Sequence, residues 1–288
     1  MSFARATSEQ ADRDEVRRVV ATAGSSFAAG MRILPRRRRR AIHAVYALCR
    51  AVDDIADGDA PDARDSNARA ALLDRWEAEV ERVFAGVPRT AIGAEIGRAL
   101  AKLDLPKREF VMVLDGMRMD AAAIVAPDEA LFSAYIRRVT GSVGILSMIC
   151  FGAWRGACSE RFALNLARGL QMMNILRDVE ADARMGRLYL PAHVLRTAGL
   201  PADPAEVARH PRLSEARRLL GRDAREAFDA AAAEIAAHRR TPLLPALMMM
   251  GPYERLLRRW EADWSRPPPV RSRLGKVADG LAAAARPV

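Results

Sequence analysis

Lysine is almost missing from this 288-residue chain: of 46 basic residues, only Lys102, Lys107 and Lys276 are lysines. The remainder are arginines, a skew that a GC-rich coding sequence produces without any functional demand. Cysteine is scarce too. Cys49, Cys150 and Cys158 are odd in number and form no C-x-x-C, which argues against a disulfide framework and predicts a reducing, cytoplasmic setting. The four histidines (His43, His193, His210 and His238) are scattered, with no H-E-x-x-H and no Cys/His cluster, so no zinc site is expected. Aromatic residues are only 6%, too few for an all-β sandwich. Long hydrophobic runs are lacking: the longest uncharged apolar stretch, residues 139–154, contains three glycines and falls short of the roughly 20 residues that span a bilayer. It predicts a buried core helix instead. Residues 1–15 are charged and hold no apolar segment, so no secretory signal is expected. What remains is half hydrophobic, 28% charged and of net charge +10, enough apolar material for a sizeable core. The positive balance admits three anionic partners, namely nucleic acid, a membrane surface or a phosphorylated substrate, and does not choose among them.

Proline punctuates the chain, and no internal repeat or Gly/Ser linker divides it. Pro35, Pro61, Pro88, Pro106 and Pro127 cut the first half into helix-sized pieces, and none occurs between Pro127 and Pro191, where long helices fit. Residues 64–84 put Leu72, Leu73, Trp76, Val80 and Phe84 on one broad helical face. Pro201, Pro204 and Pro211 mark a loop, and residues 214–239 read as another long helix. Pro242, Pro245 and Pro252 are expected to break the apolar stretch around the methionines at 248–250. Residues 266–276 hold three consecutive prolines and four basic residues without an acid, predicting an extended basic tail over 266–288 that closes in a short helix. Strand patterns are absent. The expectation is an all-α fold, with residues 1–288 as a single helical domain.

Two segments carry chemistry. In the first, Tyr46 set at zero puts Arg50, Asp53 and Asp57 at roughly 40°, 340° and 20° around a helix, one narrow face with Asp54 at its edge. In the second, Gln171 set at zero puts Asn174, Asp178 and Asp182 at roughly 300°, 340° and 20°, again one face, flanked by Met172, Ile175, Leu176 and Val179. Aspartates four residues apart are stacked like charges that destabilise a helix by about 0.2–0.5 kcal/mol. In apolar surroundings they need a counter-charge. Mg²⁺ suits the role, because it takes one or two carboxylates together with waters and substrate phosphate oxygens. Arg50, Arg177, Arg184 and Arg187 lie near enough in sequence to neutralise a diphosphate held there. A single D-x-x-x-D usually marks a solvated face, with arginines in ordinary surface pairs. Two matched copies, each with a further polar residue on the same face, are a much stronger signal.

The order of these motifs resembles the squalene/phytoene synthases, trans-isoprenyl diphosphate synthases of the head-to-head type. The resemblance is strong over residues 23–191 and weaker beyond. It rests on Gly24-Ser-Ser-Phe27, on Leu34-Pro35 with Arg36 to Arg40, and on Tyr46…Cys49-Arg50-x-x-Asp53-Asp54-x-x-Asp57. It continues through Asp115-Gly-Met-Arg-Met-Asp120 and Tyr135-x-x-x-Val139-x-Gly141-x-Val143-Gly144. Its most diagnostic run is Gln171-x-x-Asn174-Ile-Leu-Arg177-Asp178-x-x-x-Asp182, followed by Gly186-Arg187-x-Tyr189-Leu-Pro191. The chain departs from the pattern at Ala23, where several relatives carry histidine.

The resemblance implies an isoprenoid-synthase helical bundle around a central cavity. Asp53, Asp57, Asn174, Asp178 and Asp182 then match its metal-binding positions. Ser26, Phe27, Arg50, Gln171, Asn174 and Arg187 match substrate-binding positions, with Ser26 and Phe27 on the segment that covers one substrate. Tyr46, Arg50, Tyr135, Arg177 and Tyr189 match catalytic positions at the diphosphate end, and Met117, Met172, Met173 and Phe27 are candidates to line the cavity. The implied reaction joins two farnesyl diphosphates head to head, giving presqualene diphosphate and releasing diphosphate, with Mg²⁺ and without NADPH. Two geranylgeranyl diphosphates, as in a phytoene synthase, or a full squalene synthase reaction are the alternatives. A helical assembly factor of the same fold should have lost its aspartates, and an arginine-rich nucleic-acid binder has no need of paired acids, so nucleic acid is not an expected partner. Arg36 to Arg40 are expected to form a solvated first helical turn, His43 to be non-catalytic and Cys49 to be packed. The chain is expected in the cytoplasm, its basic tail giving peripheral contact with the inner membrane. The sequence assigns no oligomeric state.

Overall fold

Apolar residues recur at helical spacing along the chain, and burying those stripes against one another sets the architecture. The computed structural model describes residues 8–22, 27–269 and 272–285. Among these the helices follow in order as α1 (Glu9–Thr22), α2 (Phe27–Arg32), α3 (Arg36–Asp57), α4 (Ser66–Phe84), α5 (Ala91–Leu100), α6 (Lys107–Ala121) and α7 (Glu129–Ile136). Then come α8 (Ser142–Phe151), α9 (Ala157–Arg184), α10 (Ala192–Ala198), α11 (Pro204–Val207), α12 (Leu213–Ala233), α13 (Arg240–Ala262) and α14 (Arg273–Ala284). A π-helical turn, Arg137–Gly141, joins α7 to α8. The described residues contain no strand, only an isolated parallel bridge between Val125 and Leu188. The all-α expectation holds.

One hydrophobic cluster runs from Val16 to Trp260. Helix α3 packs on α1, α5, α6 and α8, and α9 packs on α8, α12 and the π turn. The expected stripe of α4 is buried through Leu72, Leu73, Trp76 and Val80. Asp65 caps that helix by accepting from the Ala68 amide at 2.8 Å. Helix α3 ends immediately after Asp57, where Gly58 takes a left-handed φ of 82° that a residue with a Cβ adopts only at a cost. Buried Glu79 of α4 anchors the start of α5: it accepts from the amides of Arg89 and Thr90, both at 2.7 Å, from the Thr90 hydroxyl and from Arg82.

Two expectations fail. Helix α13 runs straight through Pro245 and Pro252. Each proline withholds an amide from the carbonyl four residues earlier, yet Leu243, Leu247, Met250, Leu257 and Trp260 bury one face of the helix along its length, and that packing outweighs the two lost bonds. The carbonyl of Met248, which Pro252 leaves without its helical donor, faces Gly280 of α14, where a Cβ would lie 2.8 Å from that oxygen. The short helix expected after the Pro-rich stretch is α14, and it docks on α13. The five arginines also differ from a solvated turn. Arg36 and Arg37 are exposed, but Arg38 donates to the carbonyls of Ile149 and Cys150 at the end of α8, and Arg40 is paired with buried Glu95 of α5. Among the described residues no helix is long and apolar enough to cross a membrane.

Candidate active site

Helix α3 packs on α6, and the end of its narrow polar face lies against Arg187, just beyond α9. Arg50 Nη1 lies 2.9 Å from Asp53 Oδ2, and the same guanidinium pairs with Asp54. One turn later Asp57 meets Arg187, whose Nη1 donates to Asp57 Oδ1 at 2.6 Å and whose Nη2 donates to the Ala56 carbonyl at 2.9 Å. Arg187 is well buried. It reaches back because Gly186, at φ 72°, reverses the chain after α9, and the Arg187 amide returns to the Asp182 carbonyl at 2.9 Å. The link between Asp57 and Arg187 thus ties the end of α3 to the end of α9.

On α9, Arg177 grips Asp178 with two bonds of 2.8 and 2.5 Å. Gln171 accepts from Thr140 of the π turn at 2.6 Å and donates to the Tyr135 hydroxyl at 3.4 Å. Asn174 Oδ1 accepts from the Tyr253 hydroxyl of α13 at 3.0 Å. The rings of Tyr135 and Tyr189 stack at 4.9 Å, and the Tyr189 hydroxyl donates to buried Asp120 at 2.5 Å. The Val125–Leu188 bridge holds the segment bearing Arg187 and Tyr189 against the segment after α6, with Leu188 N to Ile124 O and Ala126 N to Leu188 O both at 2.8 Å.

Charge is unbalanced here. Six carboxyls (Asp53, Asp54, Asp57, Asp120, Asp178 and Asp182) face three arginines. Asp53 is pushed up to about 7 by loss of solvent and then by Asp57, against the pull of Arg50. Its side chain is nonetheless 43% exposed, so part of the carboxyl keeps contact with solvent while the surrounding protein shields the rest. Asp182 is likewise pushed up to about 7, by loss of solvent and then Asp178, with Asp120 and Asp57 adding to it. Asp182 therefore lies near enough to Asp57 of α3 to feel its charge. Burial also raises Asp120, opposed by the hydrogen bonds of Tyr189 and Tyr135, and raises both tyrosines.

Among the described residues no three His, Cys, Asp or Glu side chains close into a ready-made metal cage. A hard divalent cation still fits the donor set: oxygen ligands with excess negative charge, on two helices, leaving coordination positions for water and phosphate oxygens. Arg50, Arg177 and Arg187 meanwhile occupy the carboxylates themselves.

Of the residues named from the sequence, Arg50, Asp53, Asp57, Tyr135, Gln171, Asn174, Arg177, Asp178, Asp182, Arg187 and Tyr189 belong to this one region through the contacts above. Tyr46, on the same face of α3, is half-buried against the core. Ser26 and Ala23 lie outside the described residues, and Phe27 is described only as the first residue of α2. Met117, Met172 and Met173 are buried in the core cluster. Arg184 is exposed at the end of α9. The Cys49 thiol is pushed up to about 12, chiefly by burial, and stays protonated. Three participants had no assigned role: Asp120, Thr140 and Tyr253. Asp120 ends a quoted motif whose first acid, Asp115, goes instead to a surface network with Arg118, Asp74 and Glu77.

The profile of the squalene/phytoene synthases matches residues 20–274. The chain is 38% identical over 247 residues to a presqualene diphosphate synthase of Zymomonas mobilis, covering 84% of this chain and 82% of that one. It is 43% identical over 187 residues to a presqualene diphosphate synthase of Rhodopseudomonas palustris, covering 64% and 65%. Among solved structures, a dehydrosqualene synthase in complex with a ligand superposes with a TM-score of 0.81 at 21% identity, each chain 96% covered. A squalene synthase of Alicyclobacillus acidocaldarius superposes with a TM-score of 0.71 at 24% identity, covering 95% of this chain and 93% of that one. The profile match and the identity over most of the chain together place it: it belongs to the squalene/phytoene synthase family.

Proposed function

We propose that the protein is a prenyltransferase that condenses two farnesyl diphosphates head to head into presqualene diphosphate. The observation that supports this reading is the meeting of the ends of α3 and α9, where Arg187 donates to Asp57 and Asp182 feels the charge of both Asp57 and Arg187. The names of the Zymomonas and Rhodopseudomonas relatives support the choice of farnesyl diphosphate.

In this reading Asp53, Asp57, Asn174, Asp178 and Asp182 would hold Mg²⁺. Bound there, magnesium supplies positive charge to the diphosphate oxygens and so makes diphosphate a better leaving group. Arg50, Arg177 and Arg187 would donate to the diphosphate oxygens. The C–O bond of one farnesyl diphosphate breaks and diphosphate departs with the electron pair. The alkene of the second molecule attacks the resulting allylic cation, and loss of a proton closes the cyclopropane while the second diphosphate is kept. Gln171 and Asn174 orient the diphosphate end. The stacked Tyr135 and Tyr189 wall that end and, with the apolar residues around Asp182 (Ile175, Val179, Leu188 and Leu190), exclude water that would quench the cation.

Incubation with farnesyl diphosphate and Mg²⁺, without NADPH, should yield presqualene diphosphate by mass analysis. Preferential use of geranylgeranyl diphosphate would instead assign the phytoene-type reaction, and no product from either would defeat the proposal. Asp53→Asn and Asp178→Asn should each lower turnover about 100-fold or more while leaving the circular-dichroism spectrum unchanged.

Peripheral membrane contact belongs to the chain end in this proposal. Leu274 and Leu281 are exposed seven residues apart on α14, next to the basic Pro-rich segment. Sedimentation with phosphatidylglycerol vesicles at low salt tests it, and absence of binding removes it.

A further inference from the structure

Far from the aspartates, α1, α3 and α5 enclose two adjoining hollows of about 430 and 440 Å³ that share Arg37, Arg40 and Glu95 in their walls. The first is completed by Arg13, Arg17, Arg36, Arg39 and His43. Arg38, Arg98 and Lys102 contribute to the second. Among the described residues, Glu95 is the only acid lining either one.

The charges there fall into two groups. Arg40 and Arg98 are both held by Glu95, whose side chain is fully buried, and further by Glu9 and Asp12. Arg13 pairs with Glu9 and Arg17 with Asp14. These pairs build the floor and walls. The second group is uncompensated. Arg38 and Arg39 donate to neutral carbonyls, those of Ile149 and Cys150 and of Arg32. Arg36, Arg37 and Lys102 are exposed and form no ion pair among the described residues. Five cations therefore surround a concave surface, and among the described residues none of the five has a carboxylate partner.

Two further observations agree. His43, facing the first hollow, is pushed down to about 4 by burial and then by Arg39 and Arg17, so a proton there is repelled by the surrounding field. Helix α3 also begins with five arginines and no acid, and Pro35 before it offers no capping side chain. That charge opposes the helix dipole, an arrangement that an external anion relieves.

We propose that the groove between α1, α3 and α5 is a second anion site, binding a phosphate-bearing ligand over Arg36, Arg37 and Lys102 at a distance from the reaction centre. Asp53 lies thirteen positions after Arg40 on α3, about 20 Å at helical rise, so no one diphosphate reaches both. The inference does not depend on the proposed reaction. The required chemistry is a phosphoryl group, and its source is either a soluble diphosphate or the headgroups of an anionic lipid.

The test is calorimetric titration of the full chain with inorganic diphosphate in EDTA and about 150 mM salt, where surface charges are largely screened. Withholding divalent metal keeps diphosphate away from the aspartates. In parallel, the protein is sedimented with phosphatidylglycerol and with phosphatidylcholine vesicles. The variants are R36S/R37S, which removes two exposed side chains without ion pairs, and R255S/R258S, a control of equal charge on the exposed face of α13. Diphosphate binding that R36S/R37S weakens at least about tenfold, the control leaving it unchanged, establishes a soluble ligand. Binding of phosphatidylglycerol vesicles lost in R36S/R37S alone establishes the headgroup source. In either case the His43 imidazole, followed by NMR, should titrate higher with the ligand present. The proposal is overturned if neither probe binds, if both variants weaken binding equally, or if vesicle binding survives R36S/R37S while diphosphate does not bind. Turnover at saturating substrate should be the same in R36S/R37S as in the parent.

Discussion

Asp53 and Asp182 make the site sensitive to pH in a definite direction. Both carboxyls are pushed up to about 7 in the folded protein, mainly by loss of solvent and by neighbouring acids, whereas in an unfolded chain they titrate near about 4. Between those values the folded state binds more protons than the unfolded state, so their contribution to stability falls as pH rises through about 7. A cation that replaces those protons must therefore compete with them below about pH 7 and not above it. The rise in thermal midpoint produced by Mg²⁺ with inorganic diphosphate should be larger at about pH 8 than at about pH 6, and scanning calorimetry at both values reads it. An equal rise at both would place the cation elsewhere. Asp53→Asn should flatten the difference. Tyr189 offers a second test at this scale. Its hydroxyl is a donor to buried Asp120, so Tyr189→Phe leaves that carboxyl short of a partner and should cost about 1–3 kcal/mol in urea unfolding. Because the phenyl ring can still stack on Tyr135, a fall in turnover beyond the stability loss would identify the hydroxyl as a positioning group for the diphosphate end.

Among the elements, the aspartate-bearing faces of α3 and α9 are legible in the sequence because a straight helix repeats its direction every few residues, so Tyr46, Arg50, Asp53 and Asp57 announce a shared face without knowledge of the fold. Asp120, Thr140 and Tyr253 are not legible in this way. Each is the sole contributor from its own helix or turn, and its partner (Tyr189, Gln171 or Asn174) lies on another element. Pro245 and Pro252 mislead for a related reason: the local cost of a proline is visible in the sequence, whereas the burial that offsets it comes from other helices. The α13–α14 contact follows from the same prolines. Since a Cβ on Gly280 would meet the Met248 carbonyl at 2.8 Å, Gly280→Val should undock α14, seen as new protease sensitivity after the Pro-rich stretch with the rest of the fold retained. Glu79 is the more severe case. Glu79→Ala strips the acceptor from two backbone amides at the start of α5 and should lower unfolding free energy by about 2–4 kcal/mol, with Glu79→Gln losing less.

At the scale of the whole molecule, the all-helical fold is readable from composition and period, but the distribution of the +10 net charge is not, because it depends on which arginines find acids. Many do so at close range: Arg118 lies 2.5 Å from Glu77, Arg161 2.5 Å from Glu234, and Arg225 2.8 Å from Glu261. Pairs this short lie well inside the Debye length, about 10 Å at 0.1 M salt, and lose little when salt is added. The surplus positive charge acts differently. Its members repel over distances comparable to or beyond that length, so salt screens the repulsion more than the attraction. Raising sodium chloride from about 10 to about 150 mM should therefore raise the thermal midpoint rather than lower it. Part of that rise should vanish in R36S/R37S, where the surplus is smaller and the paired arginines are untouched. A midpoint that falls with salt would mean that the ion pairs, and not the unpaired arginines, dominate the electrostatics of this fold.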